Sequence, residues 1–520
     1  MRSIGGIRHG FLTRNLAAAA LVIFYCLSAL GLSGLLMATG LPSAQAQRGR
    51  GKKMWPSSYP RGRGTPSRAG RRVSSAAYCR GRGYCGRLGF VRRGVVRSRG
   101  RRDYWDPAPE YTQRKQIEQP SKPAVQRSKP AEQRSKQTDQ PVRPSQAVEE
   151  FVADEVLVTA DLSAPQSLEE GLARDYGLQV IERLDLTLID RRIVRMRIPN
   201  GRAVSTVVAA LQSDQRIEDP QPNYLYRHQA GASGVTTGEP QYALNKIELS
   251  RAHALAQGRG TIVAIIDSAV DLTHPDLDAV ATETFDAVGD ADARTDAHGT
   301  AIAGIIRARG ALQGVAPKAT LLCVRVFTPR LARDPAAATN ALLRGLDWSV
   351  KRGARVVNLS FVGPRDPLVH KMLKVAVNTK QAIIVAPAGN GGVGAPPAYP
   401  GAYSEVIAVT ATDHADRLYD HANRGAYVAV AAPGVDILTP TLGRAHEHKT
   451  GTSFAAAHVS GIIALMLERN PHLTPKAVRA ALVAAAQDLG SRGHDKEFGA
   501  GRTNAFKSLR MIGQTTKVSH

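Results

Sequence analysis

Three polar residues stand where a strand or a loop gives way to a helical pattern. Asp267 ends an apolar run, His298 opens a stretch rich in Ala and Ile, and Ser453 precedes an Ala-rich helical run. A serine hydroxyl becomes a nucleophile when an imidazole within about 3 Å takes its proton and a carboxylate holds the tautomer of that imidazole. The three residue types therefore predict nucleophilic catalysis.

Each residue also has a plainer structural explanation. An Asp at a strand end is commonly a cap or a loop residue, and a Ser before a helix is commonly its N-cap. A fourth segment strengthens the catalytic interpretation, because the apolar strand 382–386 is followed by Gly389 and Asn390. An Asn amide in such a loop can donate to the oxygen that becomes negative during acyl transfer. The combination, and no single residue, carries the prediction.

The four segments resemble the signature blocks of the subtilisin-like serine proteases, or subtilases (peptidase S8). They occur in the order Asp, His, Asn, Ser at separations of 31, 92 and 63 residues, and Asp before His before Ser is the order of subtilisin. The resemblance extends from about residue 241 to 509. The matching blocks are Asp267-Ser268-Ala269-Val270-Asp271, His298-Gly299-Thr300, Pro387-Ala388-Gly389-Asn390 and Gly451-Thr452-Ser453-Phe454-Ala455-Ala456.

The resemblance implies a role for each of these positions. Ser453 would be the nucleophile, His298 the general base and then acid, and Asp267 the orienting carboxylate. Asn390 would form the oxyanion hole with the backbone N–H of Ser453. Val362 stands where the family usually has Gly, so no side-chain preference is carried over. The substrate-binding residues implied by the resemblance are Ser360, Phe361, Val362 and Gly389.

The apolar runs before Asp267 and Asn390 are continuous, as in strands buried on both faces of a parallel sheet. We therefore expect an α/β fold over 241–513, a subtilisin-like three-layer fold whose central parallel sheet is flanked by helices. The catalytic groups would lie at the carboxyl edge of that sheet. By resemblance, the small α+β domain predicted at 147–230 is the inhibitory propeptide, and the Gly/Ser/Thr-rich stretch 230–238 after it suits self-cleavage between about His228 and Gln241.

The small domain shows a strand–helix–strand–helix–strand pattern of about 80 residues. A domain of this size is marginally stable without a partner to pack on. The predicted strands include Val156-Leu157-Val158 and 192–198, and the predicted helices span 167–176 and 204–211.

The net charge of +25 is concentrated near the N-terminus, since residues 47–146 hold 26 basic and 6 acidic residues. This argues against a folded basic face for specific nucleic-acid binding. Residues 1–46 carry three Arg, an apolar run and Ala44-Gln45-Ala46, typical of an export signal. The alternative is a retained membrane anchor, so the predicted location is periplasmic, extracellular or membrane-anchored.

Residues 47–146 combine high charge with few large apolar groups and are predicted not to fold alone. One interpretation is an arm that attaches to an anionic envelope surface; the other is a solvated spacer.

The predicted function is a serine endopeptidase that acts on proteins or peptides, is made as a self-processing zymogen and is inhibited by its own propeptide. The alternative is an inactive subtilase-like scaffold tethered by its basic arm. No cofactor is expected for the chemistry and no metal ligand is assigned, including at His446 and His448 in a predicted loop. The acidic cluster before His298 has two interpretations, a structural calcium site and a solvated loop. Its members are Asp286, Asp290, Asp292 and Asp296.

Overall fold

The computed structural model describes residues 150–229, 239–277, 282–290, 295–329, 331 and 334–515. The predicted export signal, the basic arm and the stretch 230–238 lie outside these residues. Among the helices that are described, none combines the length and apolarity that crossing a membrane requires.

Residues 150–229 form the N-terminal unit, a sheet with two helices. Its strand β2 was missed by the sequence prediction, because its apolar positions are mixed with Gln, Glu, Arg and Asp and most of them are half-buried. Helix α1 ends at Gly177, whose φ of 58° is a conformation that glycine favours at a helix end. The elements are β1 (Phe151–Asp161), α1 (Gln166–Tyr176), β2 (Gln179–Leu186), β3 (Arg191–Arg197), α2 (Val204–Leu211) and β4 (Glu218–Arg227).

The remaining described residues, from 239 onward, form the C-terminal unit. Its strands are β5 (Ile262–Asp267), β6 (Thr282–Asp286), β7 (Thr320–Arg325), β8 (Phe327–Thr328), β9 (Ala336–Ala338), β10 (Val356–Leu359), β11 (Ile383–Pro387), β12 (Val406–Thr412), β13 (Val428–Pro433), β14 (Ile437–Pro440) and β15 (His446–Lys449). Its helices are α3 (Tyr242–Lys246), α4 (Leu249–His253), α5 (Ala297–Arg307), α6 (Thr339–Lys351), α7 (Pro367–Asn378), α8 (Thr452–Arg469), α9 (Pro475–Ala485) and α10 (Ala505–Thr515), with a short 3₁₀ helix at Leu442–Arg444.

Seven parallel strands form the central sheet in the order β13-β12-β11-β10-β5-β7-β6. Alternate residues of β5 enter different cores, as Ile265 packs with α5 and α8 while Ile266 packs with α6 and α7. The inner strands are almost continuously apolar because helices cover both faces, whereas the edge strand β6 has exposed Glu283 and Thr284. The predicted α/β fold with a parallel sheet between helical layers is therefore confirmed.

The N-terminal unit packs on the second of these helical layers. Its strands join β8 and β9 in a six-stranded antiparallel sheet of order β2-β3-β1-β4-β9-β8. Val156 and Val158 face the unit's own core under α1 and α2, whereas Leu157 enters the core that contains α6 and α7. Both faces of its sheet are thus buried, one by its own helices and one by the C-terminal unit.

Candidate active site

Asp267 and His298 meet at the carboxyl edge of the parallel sheet. Asp267 is the last residue of β5 and is fully buried, and its Oδ1 lies 2.9 Å from Nδ1 of His298. His298 is the second residue of α5, where Asp296 caps the helix by accepting the backbone N–H of His298 at 2.8 Å. The strand end and the helix cap together position the pair. With Nδ1 donated to the carboxylate, Nε2 is the nitrogen left to accept a proton.

The environment of Asp267 favours its ionised form. Burial alone would raise its pKa, but the charges and hydrogen bonds of His298 and His228 outweigh burial and hold the pKa of Asp267 below its ordinary value. The backbone N–H of Ser268 also donates to Oδ1 at 2.7 Å. An ionised carboxylate at this place can hold the imidazole tautomer and stabilise an imidazolium.

Ser453 is the second residue of α8 and is 3% exposed. Its Oγ donates to the carbonyl oxygen of Ser360 at 3.1 Å. The hydroxyl therefore points toward the end of β10 and not toward the imidazole of His298. Within the described part of the chain, Nε2 of His298 has no hydrogen-bond partner. Hydrogen bonds between nucleophile and base often form only with substrate in place. The backbone N–H of Ser453 lies in the first turn of α8, where a helix supplies no acceptor.

Asn390 follows β11 and faces the start of α8. Its Oδ1 accepts the backbone N–H and the hydroxyl of Thr452, at 3.1 and 2.6 Å, and this leaves Nδ2 to donate elsewhere. The preceding Gly389 has a φ of 108°, and a Cβ there would lie 2.7 Å from Nδ2 of Asn423. Glycine is therefore required at this position for both conformation and space.

The last residues of the N-terminal unit, 226–229, lie in the cleft and are called here the cleft segment. Arg227 and Val362 exchange two backbone hydrogen bonds of 2.8 and 3.0 Å in an antiparallel bridge. The carbonyl oxygen of Gln229 accepts a 2.8 Å hydrogen bond from Nδ2 of Asn390. Its side-chain Oε1 accepts the backbone N–H of Asn390. An extended segment held in this way is bound by strand addition.

His228 touches the Asp267–His298 pair directly. Its ring stacks on His298 with centroids 3.8 Å apart and on Phe327 at the same distance. Its Nε2 lies 3.1 Å from Oδ1 of Asp267. Burial, followed by the charge of His298, lowers the pKa of His228. Phe327 was not among the predicted site residues, since an aromatic residue after a buried strand carries no local signal of a binding role.

The predicted substrate-binding residues occupy different places around the cleft segment. Val362 borders a cleft of about 650 Å³ that continues along residues 395–399. Phe361 is buried beside it and meets the ring of Tyr226 edge-on, with centroids 5.5 Å apart. Ser360 is buried and bonded to Ser453. Only Val362 and Phe361 therefore contact the cleft segment among the contacts described for these residues.

The described members of the acidic cluster bond protein donors. Asp286 and Asp290 accept hydrogen bonds from the guanidinium of Arg325, and Asp296 caps α5. Asp292 lies outside the described residues. A cation and a helix N-terminus thus engage the described carboxylates, whereas calcium takes six to eight oxygen ligands. Structural calcium at this cluster stays a prediction.

The histidines near the end of the chain lie in a strand, so the predicted loop at His446 and His448 was wrong. They belong to β15, and Nε2 of His446 lies 2.7 Å from Oδ2 of Asp276. The neighbouring His274 uses both ring nitrogens on backbone groups, the N–H of Asp276 and the carbonyl oxygen of Ala445. A metal would have to break these bonds, and in this arrangement the cluster forms a polar cross-link between the turn 274–276 and β15.

Comparison with known proteins points to one family. The model of the Subtilase family matches residues 258–501. A thermophilic serine proteinase of Bacillus sp. (strain AK1) is 31% identical over 314 residues, which cover 59% of this chain and 76% of that protein. The minor extracellular protease Epr of Bacillus subtilis is 32% identical over 268 residues, covering 50% of this chain and 40% of that protein.

A solved structure supports the fold. Fervidolysin from Fervidobacterium pennivorans, described as a keratinolytic enzyme related to subtilisin, superimposes with a TM-score of 0.60 at 24% identity. The match covers 69% of this chain and 61% of that structure. Family model, relatives and fold agree, and the chain belongs to the subtilase family of serine proteases.

Proposed function

We propose that the chain is an exported serine endopeptidase, made as a zymogen that cuts itself after Gln229. In this mechanism Oγ of Ser453 attacks the carbonyl carbon of a peptide while Nε2 of His298, oriented by Asp267, takes the hydroxyl proton. The amide of Asn390 and the backbone N–H of Ser453 stabilise the oxyanion. The imidazolium then protonates the departing amine, and water hydrolyses the acyl-enzyme with the same groups.

One observation carries the proposal: the carbonyl of Gln229 accepts its hydrogen bond from Nδ2 of Asn390. That amide is the donor assigned to the oxyanion, so the carbonyl of Gln229 stands where the carbonyl under attack belongs. The paired backbone of Arg227 and Val362, two residues earlier, holds the segment in the extended form that a protease requires. The bond after Gln229 also falls within the window expected from the sequence.

The N-terminal unit acts in this proposal as the inhibitor of the uncut chain. It is held by backbone pairing between β4 and β9, and the cleft segment covers the groups that a substrate would need. Polar contacts add to this, such as the hydrogen bond from Nδ2 of Asn223 to Oδ1 of Asn340 at 3.2 Å. The unit therefore blocks access until cleavage releases its end.

Export is part of the proposal because residues 1–46 carry the charge, apolar run and small residues of a signal. An extracellular relative is consistent with it. We keep the alternative of an anchored form and, for residues 47–146, both the anionic-surface arm and the spacer. The inactive-scaffold alternative has less support, since the Asp, His, Ser and Asn groups are all present.

The test is maturation of the purified full chain. We expect mass spectrometry to find a new N-terminus directly after Gln229 and a serine-directed phosphonate to label the product. The Ser453→Ala chain should stay uncut and unlabelled. Ser349→Ala is the matched control, because Ser349 is also a buried helical serine and its hydroxyl donates to the carbonyl of Gly345 within α6. A Ser453→Ala chain that matures unaided and hydrolyses peptides would refute the proposal.

A further inference from the structure

We propose that the cleft selects substrates with a tyrosine four residues before the cut bond and a flat ring two residues before it. Asp366 recognises the tyrosine hydroxyl, and Phe327 stacks on the ring. This inference rests on the proposed function, since it names the substrate class of the same site. The cleft segment Tyr226-Arg227-His228-Gln229 supplies the evidence, because it lies in the cleft as a substrate would.

The register of the cleft segment follows from two backbone contacts. The carbonyl of Gln229 faces Asn390, which makes Gln229 the residue just before the cut bond. Arg227 pairs with Val362 and is the third residue before that bond. The alternation of an extended chain then sends the side chains of His228 and Tyr226 to the protein, as the second and fourth residues.

The side chain of Tyr226 fills an enclosed pocket in the C-terminal unit. It is fully buried, and Phe361 meets it edge-on with ring centroids 5.5 Å apart. Gly363 gives the ring its room, since a Cβ there would lie 2.4 Å from Cδ1 of Tyr226. The pocket is therefore shaped for a six-membered aromatic ring.

A carboxylate lies at the end of this pocket. The hydroxyl of Tyr226 donates to Oδ2 of Asp366 at 3.2 Å, and Asp366 is fully buried. Two donors to Asp366 belong to the C-terminal unit itself, the hydroxyl of Thr339 at 2.6 Å and the backbone N–H of Val369 at 3.1 Å. A third, Nε2 of Gln221 at 2.9 Å, belongs to the N-terminal unit, as Tyr226 does.

Removal of the N-terminal unit leaves Asp366 short of two donors. A substrate tyrosine restores one of them, whereas a phenylalanine would cover a buried carboxyl group with a hydrocarbon edge. Polar sites built for a hydroxyl discriminate strongly against the analogue that lacks it. Because Thr339 and Val369 remain, we expect the cost of leaving one buried polar group without its partner, a preference of about 5- to 100-fold for Tyr over Phe.

The second position has a slot with two aromatic walls. The ring of His228 lies between His298 and Phe327, with centroids 3.8 Å from each and interplanar angles of 20° and 23°. Phe327 is itself supported by Phe361 at 5.8 Å. A flat ring gains contact with Phe327 that an alanine side chain cannot make, so we expect a preference of about 2- to 10-fold for a ring.

The test compares three fluorogenic peptides on the matured protease: Tyr-Arg-His-Gln, Phe-Arg-His-Gln and Tyr-Arg-Ala-Gln, each with the dye after Gln. The ratios of kcat/KM should follow the two preferences given above. Asp366→Asn keeps a helix cap for α7 and should reduce the Tyr-to-Phe ratio to a few-fold, while Phe327→Leu should remove the preference at the second position only. The Tyr-to-Phe ratio is measured with different peptides on the same unmodified enzyme, so it does not depend on how a variant folds.

Equal kcat/KM for the Tyr and Phe peptides on the unmodified enzyme would overturn the inference. If cleavage still depended on Ser453 in that case, the proposed function would stand. A purified chain that neither reacts with the phosphonate nor cuts any of the three peptides would refute the proposed function, and the inference with it.

Discussion

The imidazole of His228 stacks on that of His298, with centroids 3.8 Å apart and planes 20° apart. Nε2 of His228 also lies 3.1 Å from Oδ1 of Asp267, the oxygen that meets His298. The carbonyl of the next residue, Gln229, occupies the donor on Asn390. A short stretch of the N-terminal unit thus contacts the residues proposed as base, orienting carboxylate and oxyanion donor together. In the proposed mechanism, release of this stretch must precede every later turnover.

Release of the cleaved N-terminal unit should be faster in acid. Burial and the nearby charge of His298 lower the pKa of His228, while Asp267 and Asp296 oppose them without prevailing. In the released unit His228 returns to its ordinary pKa of about 6.5. The bound state therefore keeps its full stability above about pH 6.5 and loses it as the pH falls from there toward the lowered pKa of bound His228. The measurement is the dissociation rate of the cleaved complex from pH 5 to 8.

The matched variants separate this histidine from other titrating groups. His228→Phe keeps a stacked ring without a titrating nitrogen and should flatten the pH dependence of dissociation. His472→Phe changes an exposed histidine remote from the cleft and should keep the wild-type slope. An unchanged slope in His228→Phe would show that other groups control release.

Replacement of Asn390 by Leu should lower kcat by about 10²- to 10³-fold, because the oxyanion loses its side-chain donor. That magnitude was established on subtilisin, a member of this family. KM should change little, since the lost hydrogen bond strengthens in the transition state. Steady-state kinetics with one peptide are sufficient, and Asn378→Ala, on an exposed helix end, is the control. A loss confined to KM would contradict the assignment of Asn390.

A methyl group at Gly363 should close the pocket for the fourth residue. The added Cβ would lie 2.4 Å from the ring of Tyr226, a distance that forces the ring or the backbone to move. Gly363→Ala should therefore lower kcat/KM at least about 10-fold for a peptide with Tyr at that position, as overpacking of a tight site costs about 1–3 kcal/mol. A peptide with Ala there should be cut almost as before. Equal losses for both peptides would indicate general misfolding instead.

The charge of the basic segment 47–146 predicts salt-dependent attachment to an anionic membrane surface. Its net charge of about +20 should bind the uncut Ser453→Ala chain to vesicles that contain anionic phospholipid, with binding lost as salt shortens the screening length. Co-sedimentation of the full chain and of a chain lacking 47–146 would measure this. If deletion leaves binding unchanged and independent of salt, the segment is a spacer.

Much of the site was predictable because its residues lie at the ends of strands and helices that local sequence patterns identify. Asp267 and Asn390 follow continuous apolar strands, and His298 and Ser453 begin apolar helices. Strand ends of a parallel sheet meet at one edge, so residues distant in sequence were expected to converge. The conformation of Ser453 was not predictable, since its hydrogen bond to Ser360 depends on a side-chain rotation within a packed site.

The N-terminal unit shows where local patterns fail. The strand Gln179–Leu186 was missed because pairing with β3, and not an apolar run, makes it a strand. Strand β4, the last strand of the predicted pattern, contains Pro220 and Pro222, which weaken a strand in isolation, and it lies between β1 and β9 with irregular register. Long-range pairing decided both elements.

The sequence by itself determined which groups are proposed to carry the chemistry of this protein: a nucleophile, a base, a carboxylate and an amide donor, each at the end of a recognisable element. Only the tertiary structure decided what fills the cleft, because Arg227 pairs with Val362 and Tyr226 reaches Asp366 across more than a hundred residues. Such contacts depend on the shape of a pocket and on backbone groups that every residue carries. No periodicity or composition of the chain could have revealed them.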